Sequence, residues 1–232
     1  MHNYSHFAEH PLALEARMAI YSSAAAADRV PHLGIHTYPE QYVSRWITKS
    51  GEEVLFRPIR PEDEPLMVEF HKTLSEQSVY LRYRPAESLR MRVAHERLIR
   101  RCCIDDAHEA ALVAVRTMPE TGQDEILAVG RLIKLPSGDK AEVAVLVSDP
   151  YQRHGLGSEL LRRLIQVAHD RDMQEIIANF LPENTGMRAL ANRFGFQFRP
   201  SSDPTVLKTV LNLTNAQALL SLRRYAGRHL CG

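Results

Sequence analysis

The fold is decided by residues 141–161, which read AEVAVLVSDPYQRHGLGSELL. Apolar residues from Ala141 to Val147 predict a buried strand, and a loop with Gly155 and Gly157 leads from it into an amphipathic helix. Such a loop presents a series of backbone N–H groups at the positive end of the helix dipole, where a phosphate or pyrophosphate binds. Glycine is needed there because a side chain would keep the anion away from the backbone.

The spacing of the two glycines narrows the kind of site. The loop lacks the Gly-x-x-x-x-Gly-Lys-Ser/Thr pattern of nucleoside triphosphatases, and it lacks the third glycine of the dinucleotide fingerprint. Glycines before a helix also occur as a simple turn. At this point an anion site and a plain turn therefore both remain open.

Patterns on both sides of this stretch predict an α/β fold, more narrowly an α+β mixed sheet. Upstream, the predicted elements are strand 54–59, a helix from Pro61, an Arg-rich helix 90–101 and a meander of strands 111–117, 126–135 and 141–148. Downstream, they are helix 157–171, strand 175–180, helix 184–194 ended by Gly195, strand 206–211 and helix 216–228. This order predicts a central mixed sheet with helices on both faces.

The composition excludes several classes of protein. The chain has 232 residues, of which 44% are hydrophobic and 25% charged, as is typical of a globular protein with a real core. The 29 basic and 28 acidic residues do not favour a nucleic-acid partner. The apolar runs are too short for a membrane-spanning helix, and no signal peptide is evident. The cysteines, Cys102, Cys103 and Cys231, form no disulfide framework, which favours a cytoplasmic location.

Three motifs in order resemble the GNAT superfamily of N-acetyltransferases. Residues 152–157 match its pyrophosphate loop, Gln/Arg-x-x-Gly-x-Gly/Ala, and Asn184 and the Phe-Gly-Phe at 194–196 resemble its second coenzyme A contact and its closing motif. The resemblance covers residues 54–211 and implies a GNAT-type acyl-CoA N-acyltransferase fold, with acetyl-CoA as co-substrate and no metal. It implies coenzyme A contacts from Leu146, Val147, Ser148, Gln152, Arg153, His154, Gly155, Leu156, Gly157, Ser158 and Asn184.

Residues 55–64, 141–144 and 181–184 resemble more narrowly the acetyltransferase domain of bacterial protein lysine acetyltransferases. This resemblance implies acetyl transfer to a lysine ε-amine, with a protein acceptor such as an acyl-CoA synthetase. Residues 12–18 are similar to the end of the ATP-grasp region that precedes such domains. We therefore interpret residues 1–41 as an N-terminal extension and a candidate remnant of that region, 42–212 as the acetyltransferase domain, and 213–232 as a C-terminal helix. No ligase activity follows.

Glu142 is the candidate catalytic residue. Alternation along the predicted strand places Glu142, Ala144 and Leu146 on one face. By pattern alone, an exposed residue at the strand's start is as good an interpretation as a functional one, since Glu is rarely fully buried. The resemblance assigns the functional role, because the matching glutamate is the general base that takes the proton of the attacking amine. It also implies an oxyanion-stabilising N–H near Leu146. Many relatives have a tyrosine acid in the late helix, but this sequence departs from that pattern, because Ala191 occupies the position.

Two other functions stay open, namely acetylation of a small amine and acyl-CoA sensing without turnover. Among lesser candidates, His2, His6 and His10 have metal-ligand spacing, but a disordered tail is favoured there. Cys102 and Cys103 fit a buried helix end better than a nucleophile. The arginines between Arg82 and Arg101 form a solvated helix face or, as the less favoured alternative, dock an acidic protein surface.

Overall fold

The structure, a computed structural model, describes residues 38–48, 51–83 and 87–214. Most of the predicted extension and the predicted helix 216–228 lie outside these residues, as do the three N-terminal histidines. The division of the chain into extension, domain and C-terminal helix therefore stays a prediction. No helix in the described ranges is long and apolar enough to cross a membrane.

Eight strands form one sheet, and six α-helices accompany them in the described ranges. The strands are β1 (Ser44–Ile47), β2 (Glu53–Pro58), β3 (Glu109–Thr117), β4 (Asp124–Lys134), β5 (Lys140–Val147), β6 (Glu175–Phe180), β7 (Gln197–Arg199) and β8 (Leu207–Asn212). The helices are α1 (Glu64–Lys72), α2 (Glu76–Arg82), α3 (Leu89–Arg92), α4 (His95–Cys102), α5 (Leu156–Asp170) and α6 (Thr185–Phe194).

The sheet is mixed, as predicted, with the strand order β1-β2-β3-β4-β5-β6-β8-β7. Strands β1 to β5 form an antiparallel meander, and β6, β8 and β7 pair antiparallel at the other end. The junction is the parallel pair β5–β6, which α5 connects. A parallel pair needs such a crossover because the chain must return to the same end of the sheet.

Each face of the sheet packs against its own helices. On β3, Leu112 and Ala114 belong to the core that contains α5 and α6, whereas Val113 and Val115 belong to the core that contains α1, α2 and α4. This alternation of side chains along one strand gives helices on both faces. The predicted arrangement of helices is thereby confirmed.

Helix α5 packs directly on the sheet. Its predicted apolar stripe is fully buried, and each such side chain contributes about 1.5–3 kcal/mol relative to exposure. The close approach depends on Gly130 of β4, because a Cβ atom there would lie 2.7 Å from Leu164 Cδ1 and 2.8 Å from Leu160 Cγ. The helix that follows the glycine loop is therefore fixed on β4.

Some elements differ from the sequence prediction. The predicted Arg-rich helix is interrupted at Ala94, whose backbone is extended (φ −58°, ψ 131°), so α3 and α4 are separate. The interruption accompanies Arg92, which is buried and donates to the carbonyls of Glu87 (3.2 Å) and His71 (3.1 Å). Strands β1 and β7, both at sheet edges, and helix α2 were missed because they are too short for a clear period.

A buried ion pair joins α1 to the sheet. Arg57 of β2 donates to both carboxylate oxygens of Asp63, at 2.7 and 2.6 Å, and both residues are at most 5% exposed. Asp63 also accepts the backbone N–H of Arg60 at 2.8 Å. This geometry fixes the start of α1 over β2. The charge of the buried Arg57 is balanced by the carboxylate of Asp63.

Replacing Asp63 by alanine should therefore destabilise the protein strongly. The expected loss is about 3–5 kcal/mol in the free energy of unfolding, because a buried guanidinium is left unpaired. The control is Glu53→Gln, which removes the exposed partner of Arg45 and should cost about 1 kcal/mol or less. Urea denaturation of both variants measures the difference, and equal losses would contradict the buried pair's role.

His71 of α1 is a second buried polar group on this face. Its Nδ1 lies 3.3 Å from Nη1 of Arg92, and Tyr83 packs beside the imidazole with ring centroids 6.2 Å apart. Burial, followed by the positive charges of Arg92, Arg97, Arg131 and Arg101, lowers the pKa of His71 from 6.5 to about 4. The imidazole is therefore neutral in the folded protein at pH 7.

Acid should consequently destabilise the fold through His71. Between about pH 6.5 and 4 the unfolded chain binds a proton at this residue and the folded chain does not, so stability falls as pH falls, by up to about 1.4 kcal/mol per pH unit. His71→Gln should remove this contribution while keeping an acceptor for Arg92. Unfolding free energies of both proteins across this range test the point, and parallel pH curves would refute it.

Candidate active site

An opening lies between β5 and β6. Their ladder contains only three residue pairs, Lys140 to Glu142 against Glu175 to Ile177. Beyond Glu142, β5 remains paired with β4 up to Val147, and β6 remains paired with β8 up to Phe180. Each strand is thus held by its outer neighbour, whereas the C-terminal halves of β5 and β6 do not pair with each other. We call the resulting opening between these two halves the wedge.

The loop at the wide end of the wedge has the geometry of an anion site. Arg153 (φ 66°) and Gly155 (φ 95°) both adopt the left-handed conformation, and α5 begins directly afterwards at Leu156. The first N–H groups of an α-helix have no partner within the helix. They point outward from the loop, and an anion at this position also benefits from the helix dipole.

The loop side chains divide into two groups. Gln152, Arg153 and His154 are exposed, whereas Leu156 is 1% exposed within the core and so offers only its backbone to a ligand. Ser158 is buried too, and its hydroxyl accepts from Arg193 of α6 at 3.4 Å. An anion bound at this loop would therefore meet chiefly backbone groups.

The loop is tied to the helices on the other face. The Gln152 amide donates to the Ser78 hydroxyl of α2 at 3.0 Å, and the Ser148 hydroxyl donates to the Thr73 hydroxyl, just after α1, at 2.7 Å. Ser148 is fully buried, its N–H donates to Leu127, and its carbonyl accepts from Tyr151. All polar groups of Ser148 thus have partners within the protein.

Trp46 is a residue of this site that the sequence did not reveal. It lies on the edge strand β1, and its Cη2 atom would be 3.3 Å from a Cβ atom at Gly155. The ring also meets Phe56 edge-on, with centroids 5.9 Å apart. Trp46 therefore supports the loop from behind. It is the only tryptophan in the chain, and this rarity was the one feature of the sequence that could have drawn attention to it.

Alternation along β5 decides which backbone groups face the wedge. The carbonyl of Lys140 accepts from Leu135 and the N–H of Ser148 donates to Leu127, both on the β4 side. Residues with even numbers, including Leu146, therefore direct their N–H and C=O groups towards β4. Those of Val143, Val145 and Val147 point into the wedge.

Asn184 lies at the same edge of the sheet as the loop, because both follow the ends of parallel strands. Its side-chain oxygen caps α6 by accepting the N–H of Met187 at 2.9 Å. At the end of this helix Ala191 is fully buried and carries no hydroxyl. The capped amide is thus placed beside the wedge, and Ala191 offers no proton.

Glu142 occupies the narrow end of the wedge, in the last pair before the strands separate. Its Oε1 atom accepts a hydrogen bond of 3.2 Å from the amide of Asn179, which lies on β6 beyond the paired segment. Leu146, two alternations further along β5, packs against the core of α1, α2 and α4. The predicted shared face is thereby confirmed, and the half-buried carboxylate lies on that face.

Other chemistry finds less support. Burial raises the pKa of the Cys102 thiol to about 11, so this residue is not a thiolate at neutral pH. Burial also raises the pKa of Cys103. Within the described residues, no group of three or more His, Cys, Asp or Glu side chains could hold a metal ion.

Comparisons with known proteins agree with this geometry. Residues 53–197, more than half of the chain, match the family described as acetyltransferase (GNAT) domain. The chain belongs to the GNAT acetyltransferase family. As a member of this family, the protein is an acetyl-CoA-dependent N-acetyltransferase.

The chain is similar to individual acetyltransferases and to solved structures of this family. Acetyltransferase PA5475 of Pseudomonas aeruginosa is 27% identical over 146 residues, which span 63% of this chain and 76% of that protein. The GNAT domain of S. lividans PAT is 26% identical with a TM-score of 0.68, covering 76% of this chain and all of that one. Mycobacterium smegmatis RimJ, solved with CoA-disulfide, shares the fold at 14% identity and a TM-score of 0.61, covering 82% and 98% of the two chains.

Replacing Gly155 by valine should weaken the binding of acetyl-CoA to this GNAT acetyltransferase. A side chain at φ 95° is strained, and its Cβ meets Trp46, so the loop must shift. We expect affinity to fall at least about 100-fold, which corresponds to ~2.7 kcal/mol. Calorimetry measures the affinity of the variant, and quenching of Trp46 emission by acetyl-CoA is a second readout in the wild type.

Gly138→Val is the matched control. Gly138 has a similar left-handed backbone (φ 86°) in the β4–β5 turn, and a Cβ there meets nothing within 4 Å. The control therefore shares the backbone strain but not the site, and it should bind acetyl-CoA like the wild type. Equal loss of binding in both variants would remove the loop's special role.

Proposed function

We propose that this enzyme transfers acetyl from acetyl-CoA to a lysine ε-amine of a protein, by direct attack, with Glu142 as general base. The observation that carries the proposal is the position of Glu142 at the narrow end of the wedge, with its carboxylate held by Asn179 across the opening. This carboxylate lies on the face of the sheet that packs against α1, α2 and α4. An acceptor that approaches from this face can reach the narrow end of the wedge.

Acetyl-CoA supplies the activated thioester. The loop backbone from Gln152 to Ser158 would hold its pyrophosphate, and wedge-facing groups of β5 would pair with the pantetheine arm. This path leads from the helix N terminus towards Glu142. Because Ser148 is engaged within the protein, the pantetheine contacts fall mainly on Val145 and Val147.

Deprotonation of the amine is the residue-dependent step. A lysine ammonium has a pKa of about 10.4 and is not a nucleophile at pH 7. Glu142, directly or through a water, first takes one proton from the ammonium, and the neutral nitrogen then attacks the carbonyl carbon. The C–N bond forms, the C–S bond breaks, and the second proton of the nitrogen passes to the departing thiolate. Coenzyme A can leave as a thiolate with little help from an acid, because the pKa of a thiol is low, about 8.5.

The carbonyl oxygen becomes negative during attack and requires a donor. The alternation along β5 favours the N–H of Val145 or Val147 over that of Leu146, which faces β4. A fixed backbone donor of this kind typically contributes about 2.7–4 kcal/mol to the transition state. We therefore place the oxyanion donor one residue away from the position that the sequence indicated.

The protein acceptor is supported by the resemblance of residues 55–64, 141–144 and 181–184 to protein lysine acetyltransferases, for which an acyl-CoA synthetase in the cytoplasm is a model acceptor. The alternative acceptor is a small amine. An acetylation screen with mass spectrometry of modified lysines distinguishes these two, since only the first yields modified protein.

Glu142→Gln tests the general base. The substitution keeps size and hydrogen bonding but cannot accept a proton, so the rate at pH 7 should fall about 100- to 10,000-fold. Acetyl-CoA affinity should stay within a few-fold of the wild type. The defect should shrink as pH rises towards the lysine pKa of about 10.4, where neutral amine is available without help.

The control is Glu120→Gln, which neutralises an exposed carboxylate in the β3–β4 turn and should leave the rate unchanged. Equal rates for wild type and Glu142→Gln at pH 7 would exclude Glu142 from the mechanism. A large defect accompanied by lost acetyl-CoA binding would instead assign Glu142 a structural role.

A further inference from the structure

Five arginines lie on the face of the sheet that presents Glu142, close enough together for their charges to act on His71 or on Arg101. They come from α2, α3, α4 and β4, and we call them the arginine cluster: Arg82, Arg92, Arg97, Arg101 and Arg131. Arg131 donates to the carbonyl of Arg101, which joins β4 to the end of α4. Arg82 and Arg97 both lie over the ring of Tyr83, at 5.2 and 5.6 Å from its centroid.

Negative charge compensates this cluster only in part. Arg97 pairs with Glu87 at 2.6 Å, and Arg131 pairs with Glu109. In the described ranges Arg82 and Arg101 form no ion pair. A half-buried guanidinium without a carboxylate is costly, so this part of the surface favours an incoming anion.

The charge state of Arg101 agrees with this picture. Burial, followed by the charge of Arg131, lowers the pKa of Arg101 to about 10, and the carboxylate of Glu109, which pairs with Arg131, opposes this shift only in part. Its guanidinium is still protonated at pH 7, but its positive charge is disfavoured by the surroundings. A carboxylate bound beside it would relieve that repulsion.

The cluster lies on the acceptor side of the site. Cross-strand pairs place Arg131 opposite Ala144 and Ile133 opposite Glu142, so the cluster begins one strand away from the catalytic carboxylate. The loop proposed for the pyrophosphate starts beyond Val147. Val147 lies three residues after Ala144, which is roughly 10 Å along β5 at the usual rise per residue. The cluster therefore does not belong to the coenzyme's phosphate site.

We propose that Arg82 and Arg101 receive an acidic side chain of the acceptor, so that the acetylated lysine lies in an acidic protein segment. This inference rests on the proposed function and specifies its acceptor. Guanidinium groups bind carboxylates through paired N–H donors. A polycationic small amine would meet repulsion at the same place.

Neighbouring side chains favour a protein partner over a small anion. Tyr80, Leu89 and Met91, on α2 and α3, are 40%, 40% and 58% exposed. Aromatic residues, methionine and arginine are the residue types enriched at protein interfaces. An acidic segment of a folded partner can contact both the apolar side chains and the arginine cluster.

A matched pair of short peptides tests the proposal on the full chain. Both carry one lysine, flanked by glutamates in one peptide and by glutamines in the other, and both are labelled for fluorescence anisotropy in the presence of coenzyme A. We expect the acidic peptide to bind at least about tenfold more tightly, or ~1.4 kcal/mol, with the preference weakening in salt.

The preference should vanish in the double variant Arg82→Gln/Arg101→Gln and persist in Arg188→Gln, which changes an exposed arginine of α6. If the double variant fails to fold, Arg82→Gln alone should reduce the preference and Arg101→Lys should retain most of it. Equal binding of the two peptides, a preference that survives the double variant, or no saturable binding up to about 1 mM would each overturn the proposal.

Acetylation of the same peptides separates this inference from the proposed function. An acidic peptide that binds through the arginines but is never acetylated would leave the anion site intact and refute the lysine acceptor. Two peptides acetylated with equal kcat/KM would support lysine acetylation and refute the anion site.

Discussion

The short parallel contact between β5 and β6 is the constraint on which the rest of the structure depends. Three residue pairs hold these strands together at one end, while β4 and β8 hold them apart at the other. Backbone groups without a ladder partner are costly unless a ligand or water satisfies them, at about 1–3 kcal/mol each. The fold therefore maintains an edge inside its own sheet, where an extended ligand can pair with β5 as another strand would.

The two faces of this sheet differ in chemistry. On the face under α5, the contacts between helix and sheet are mainly apolar, and the buried Glu159 pairs with Arg162 and Arg163 of the same helix. The face under α1, α2 and α4 contains buried charges, including Arg57 with Asp63 and Arg131 with Glu109. Buried charges tolerate little displacement of their partners. Helices α1 and α4 are thus fixed by directional contacts, whereas α5 is fixed on the sheet mainly by close packing.

The sequence predicted those parts of the molecule that depend on local order. The stripe of α5, strand β6 and the shared face of Glu142 follow from periodicity within one element, and the loop follows from two glycines between a strand and a helix. The break at Ala94 did not, because it depends on where Arg92 finds its carbonyl acceptors. Trp46 beside the loop and the divergence of β5 from β6 combine elements distant in sequence, so no single stretch contains their signal. The arginines between Arg82 and Arg101 were visible in the sequence, but Arg131 of β4, which joins them, was not. Which backbone groups face the wedge depends on pairing with β4, which the sequence does not specify.

Two contacts have a consequence for how this enzyme can change during evolution. Ser148 to Thr73 and Gln152 to Ser78 connect the loop before α5 with the helices of the opposite face, which border the proposed acceptor site. Substitutions that shift α2 to admit a different acceptor also pull on the loop, so a gain in new specificity comes with weaker coenzyme binding. Lineages that change acceptors should therefore do so by replacing side chains on α3 and α4, which leave both hydroxyl contacts in place.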